Sequence, residues 1–89
     1  MAHYVLVRHK CRDFREWKLS YDADFPRRSA AGLSQVYLLQ SADDPNEVTL
    51  LFRAVDLPRA KAMATSPGLK EIMQKAGIVD KPDVYFLKD

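Results

Sequence analysis

The sequence predicts an α+β fold of order β-α-β-β-α-β, and three observations carry that expectation. Four short runs rich in β-branched, aromatic and leucine residues, at 3–9, 33–40, 47–55 and 83–87, read as strands. Helical spacing of apolar residues fills the intervals after the first and the third. Between the second and third lies SADDPN (41–46), where Pro and Asn supply the turn chemistry of a hairpin loop.

Each element has its own cause. HYVLVRH sets Val5 and Val7 on one side and Tyr4 and Leu6 on the other, so both faces are apolar, as in a strand covered twice. Asp13 then offers an N-cap, with Glu16 as its reciprocal partner three positions on. In the helix that follows, Phe14, Trp17, Tyr21 and Phe25 fall on one stripe, with Glu16, Leu19, Ser20 and Ala23 behind. Pro26 disfavours helical geometry at Phe25, which predicts a kink or restart near 25 or 26 and a further turn to Ala31, stopped by Gly32. LSQVYLLQ and EVTLLFRAV are the hairpin strands. Asp56 caps the next helix, which places Leu57, Ala60, Met63 and Ala64 on one face, and Ser66-Pro67 predicts a break and restart. Leu69, Ile72, Met73 and Ala76 then repeat at helical spacing up to Gly77, and DVYFL closes the order as the last strand.

This is the split βαβ, ferredoxin-like arrangement: a four-stranded antiparallel sheet with helices on one face. At 89 residues the chain reads as a single domain over 1–89, near the size at which a partner subunit becomes a useful source of buried surface. Two helices cover one sheet face only. On the other, neither alternate set of strand three (Val48, Leu50, Phe52 against Thr49, Leu51, Val55) nor of strand four (Val84, Phe86 against Tyr85, Leu87) is polar enough for water. The expectation is therefore a homodimer in which two sheets stack face to face.

Composition excludes several function classes. Fourteen basic against twelve acidic residues leave a net charge of +2, far from the concentrated charge of nucleic-acid binders. One cysteine allows no intrachain disulfide and no cysteine-cluster metal site, including that of an iron–sulfur ferredoxin. No apolar run approaches the roughly 20 residues of a membrane span. A cytoplasmic protein without nucleic-acid or membrane partners, and without metal or cofactor, is the expectation. EVTLLFRAV lacks the glycine and aromatics of an RNA-recognition motif, and RHKCRDF lacks the glycines of a phosphate-binding loop.

The element order, with DFREWKLSYDADFPRRSAAG, TLLFRAVD and SPGLKEIMQKAG, resembles the dimeric α/β-barrel superfamily, near the antibiotic-biosynthesis-monooxygenase-like domains. The resemblance covers essentially the whole chain and lies in architecture; no catalytic signature matches residue for residue. It implies a homodimer whose stacked sheets form a barrel, with a ligand cavity between helices and sheet in each protomer. Cofactor-independent oxygenases, haem-degrading enzymes and isomerases are among its members.

Candidate site residues follow from position and type. The stripe of Phe14, Trp17, Tyr21 and Phe25 reads either as core or as the wall of a pocket for a small apolar or aromatic metabolite. Asp24 and Arg28 are spaced for an ion pair, by default a solvated one, while an Arg at the mouth of an aromatic pocket would hold a carboxylate or enolate. His3 and His9 lie on one face of the first strand but roughly 20 Å apart, too far to share a metal. Either can serve as a lone general base, as can Tyr21. Arg53 interrupts the most apolar strand and must reach an edge, a ligand or, preferably, a carboxylate of the other subunit. Tyr37 and Tyr85 are candidate cavity hydroxyls. If the protein is an enzyme, cofactor-free oxygenation or proton-transfer isomerisation is the expected chemistry, with Trp17 packing the substrate. The alternative is a non-catalytic binding or assembly module with a filled core, which an open cavity would distinguish.

Overall fold

The structure, a computed structural model, describes residues 2–64, 77–79 and 82–89. Its elements are β1 (His3–Lys10), α1 (Phe14–Ala23), α2 (Phe25–Ala30), β2 (Leu33–Gln40), β3 (Glu47–Ala54), α3 (Leu57–Ala64) and β4 (Asp83–Lys88). The strands form one antiparallel sheet in the order β2-β3-β1-β4, the ferredoxin-like α+β arrangement the sequence predicts. Each strand lies within one residue of its expected bounds, because turn residues flank every apolar run. The expected break at Ser66-Pro67 and the face of Leu69, Ile72, Met73 and Ala76 lie outside the described residues.

Asp13 caps α1 from extended backbone, its Oδ1 accepting from the Arg15 N–H at 2.9 Å. Glu16 turns instead to Arg12, whose guanidinium donates to it at 3.3 Å. A second device comes from the hairpin loop: Asn46 Oδ1 accepts from the Phe14 N–H at 2.9 Å, and the Asn46 carbonyl accepts from the Cys11 N–H at 2.8 Å. The loop thus holds the entry to the helix. α1 stops at Asp24, one residue before the expected kink, and α2 restarts with Pro26 in its first turn. Gly32 follows α2 at φ +77°, and a Cβ there would lie 2.6 Å from Val55 Cγ2, so both backbone conformation and space require glycine.

The inner sheet face carries Val5, Val48, Leu50, Phe52 and Ala54, all buried against Trp17 and Tyr21 of α1 and Ala60 of α3. Both helices therefore cover the same face. On the outer face one row runs across all four strands: Tyr37, Leu51, Leu6 and Tyr85 are register partners in succession. Next to it Arg8 pairs with Glu47 and, at 3.4 Å, with Asp83. The outer face is thus an apolar band flanked by charge.

β2 departs from strict alternation. Gln35 pairs with Phe52 and Tyr37 with Leu51, so Val36 is a surplus residue in a bulge. Gln35 consequently shares the inner side with Phe52, and Tyr37 shares the outer side with Leu51. Regular alternation would have left the two tyrosine and glutamine positions on one face.

Candidate functional site

A partly open cavity of about 120 Å³ lies between α1, α3 and the inner sheet face. Its floor is Val5, Val7 and His9 of β1 with Leu50 and Phe52 of β3. Trp17 and Tyr21 roof it from α1, and Ala60, Met63 and Ala64 border it from α3. Polar groups are few: His9, Ser20, Asp24 and Arg28. An apolar hollow with a small number of placed polar groups is the usual form of a small-molecule site.

The aromatic stripe supplies the roof because its members lie one turn apart. Trp17 and Tyr21 stack at 4.9 Å between centroids and 25° between planes, Phe14 supports Trp17 from outside at 5.7 Å, and His9 tilts against Trp17 at 5.1 Å. Tyr21 also approaches Phe52 at 6.4 Å, closing the roof onto the floor. Its hydroxyl donates to Gln35 Oε1 at 2.7 Å. Burial pushes the Tyr21 phenol above its usual value of 10.0; Arg28 pulls the other way and Asp22 adds to the rise. The phenol therefore stays protonated.

Arg28 departs most from its default reading. It is 9% exposed, its guanidinium carbon sits 3.6 Å from the Tyr21 ring centroid, and Nη1 donates to the Tyr21 carbonyl at 2.6 Å. At those distances Trp17 and Arg28 cannot share one face of the ring, so Tyr21 lies sandwiched between indole and guanidinium. The expected Asp24–Arg28 pair gives way to Asp24–Arg27 at 3.5 Å, because the break after α1 shifts the helical spacing.

The other candidates separate. Phe25 is 62% exposed and outside the cavity, turned away by the same break. His3 shares the inner side of β1 with His9 but stands at the far end of the strand, outside the cavity lining. Tyr37, Arg53 and Tyr85 are all on the outer sheet face, which corrects the expected place of Tyr37 and Tyr85 in the cavity and takes Arg53 away from a ligand there while leaving it on the side where its preferred partner, a carboxylate of the other subunit, was expected. For Arg53 and Tyr85 alternation beside buried Phe52 and inner Phe86 is the reason; for Tyr37 it is the bulge. Gln35 was missed by the sequence reading, although its spacing from inward Leu33 signals the same side. Among the described residues no three His, Cys, Asp or Glu side chains are grouped to hold a metal ion, and no helix is long and apolar enough to cross a membrane.

The same architecture recurs in solved structures. A Bordetella bronchiseptica protein classed with the antibiotic biosynthesis monooxygenases superposes with a TM-score of 0.77 at 16% identity, covering 99% of this chain and 96% of its own. Rv0793 of Mycobacterium tuberculosis gives 0.69 at 23% identity, over 100% and 95%. SnoaB of Streptomyces nogalater, a cofactor-independent oxygenase, gives 0.66 at 14% identity, over 99% and 92%. This chain has the antibiotic-biosynthesis-monooxygenase-like fold. No family model matches the chain, and no curated protein matches it. At these identities the likeness is one of architecture.

Proposed function

We propose that the protein is a homodimeric enzyme that abstracts a proton from a single-ring apolar or aromatic metabolite, as the first step of cofactor-independent oxygenation or of isomerisation. The observation that carries this reading is the cavity of about 120 Å³ beside a buried imidazole. An apolar cavity near 150 Å³ is known to accept benzene, so the space suits one ring. The open cavity favours this reading over a non-catalytic module with a filled core.

His9 is the base in this reading. Imidazole is the side chain that takes up and returns a proton near neutral pH, and His9 is a cavity wall held against Trp17. Tyr21 is less suited, because its hydroxyl is engaged with Gln35 and its ring is flanked on both sides. Trp17 packs the substrate ring. A deprotonated ring either reprotonates elsewhere, which is isomerisation, or passes electrons to dioxygen, which is oxygenation without a cofactor.

The dimer in this reading stacks the outer sheet faces. The exposed row includes Tyr37, 58% exposed, and Tyr85, 53% exposed, beside Leu39 and Leu87. Such a contiguous apolar band is more than a monomer normally leaves wet.

Hydrogen–deuterium exchange tests the chemistry, because both outcomes begin with the same C–H cleavage. Wild-type protein should accelerate deuterium incorporation into one of a panel of single-ring enolisable ketones and hydroquinones, and His9→Gln should lower that rate at least about 100-fold. An unchanged rate in His9→Gln removes His9 from the role.

A further inference from the structure

The cavity holds a cation that, among the described residues, no carboxylate pairs. Arg28 is 9% exposed and borders a mainly apolar space. Among the described residues no carboxylate oxygen forms an ion pair with its guanidinium. Asp24, the acid that also borders the cavity, is engaged at 3.5 Å by Arg27. The Tyr21 carbonyl takes one donor and the Tyr21 ring covers one face, yet a guanidinium carries five N–H donors in a planar fork. A buried cation without an anion is costly, and it is retained where an anion arrives.

We propose that Arg28 docks an oxyanion of the ligand, so that the site takes single-ring compounds bearing a carboxylate or an enolate-type oxygen rather than neutral hydrocarbons. This rests on the cavity reading above and adds to it a charge requirement. The guanidinium presents its edge to the ligand oxygen while its face remains on Tyr21. His9 and Arg28 enter the cavity from different elements, β1 and α2, so the oxyanion and the C–H to be broken occupy different parts of one ring. Positive charge at Arg28 also favours the electron-rich ring left after proton removal.

Titration by NMR with four probes tests this: benzoate for the carboxylate, 4-nitrophenolate for the enolate-type oxygen, and toluene and nitrobenzene as their neutral counterparts. At a pH where both acids are ionised, at least one anion should bind about tenfold or more tightly than its neutral counterpart, the effect of one charge-assisted hydrogen bond. Arg28→Met, which keeps an unbranched stem over Tyr21, should abolish that preference while toluene affinity stays within about twofold. Toluene binding with no anion preference in the wild type overturns the charge requirement and leaves the cavity reading standing. So does a preference that survives Arg28→Met. Binding of none of the four probes overturns the cavity reading and the proposal together. The wild-type comparison decides the matter even where Arg28→Met fails to fold.

Discussion

Arg28 clamps Tyr21 twice, with its guanidinium carbon 3.6 Å above the ring and its Nη1 2.6 Å from the carbonyl of the same residue. The clamp crosses the break between α1 and α2 and fixes the angle at which the second leaves the first. Arg28→Ala should therefore lower stability by about 1–3 kcal/mol, a partly desolvated cation–π contact and a hydrogen bond from a charged donor, offset in part by the cost of burying the cation. The urea midpoint measures it. A loss below about 0.5 kcal/mol would mean that the break is held by other contacts.

Tyr21 gives a pH dependence whose sign is determined. Burial raises its phenol above 10.0 in the folded chain, so the unfolded chain releases that proton first as pH rises. The associated stability is complete below about pH 10 and is lost as pH climbs through the higher folded value. Denaturation midpoints should fall more steeply above pH 10 in wild type than in Tyr21→Phe. Ultraviolet titration should show one late-ionising tyrosine that Tyr21→Phe removes.

Cys11 should be a slow thiol. It is 3% exposed, its Sγ–H donates to the Asn46 carbonyl at 3.3 Å, and burial pushes its pKa above the usual 9.0. Labelling by a disulfide reagent at pH 8 should run at least about 100-fold slower in the folded protein than in urea, since only thiolate reacts and reaction requires opening.

Asn46 ties two segments through one side chain. Asn46→Ala removes the acceptor of the Phe14 N–H and should cost about 1 kcal/mol, the usual value of a lost helix cap. The same variant should speed Cys11 labelling, because the loop that covers the thiol then opens more readily.

The outer row predicts assembly. Light scattering should return a mass about twice the 10.2 kDa of the chain, and Leu51→Arg, at the centre of the row, should return a monomer. A wild-type monomer at micromolar concentration would count against the stacked sheets.

Much of the architecture was legible because local signals agreed with one another. Four apolar runs, Asp13 as cap, Pro26 at a break and Gly32 at a stop each act within a few residues, and each element lies where those signals place it. The site was legible in part. Trp17 and Tyr21 reach the cavity because helical spacing is reliable over two turns. Phe25 does not, since the break at Asp24 resets the phase. Tyr37 was misplaced by a bulge that no sequence periodicity announces, and Arg28 was underrated because its partner is a ring and a carbonyl rather than a carboxylate. Contacts between distant segments, such as Gln35 with Tyr21 or Asn46 with Phe14, have no signature in spacing at all.

Val36 makes β2 forgiving of length change at a single point. Excising it would restore a plain ladder and leave Gln35, Tyr37, Leu38 and Leu39 each on its present side. Excising Leu38 instead would send Leu39 under the helices and Gln40 out, inverting the strand's downstream end in one event. Insertions and deletions in descendants of this gene should therefore be tolerated at position 36 and purged two residues later.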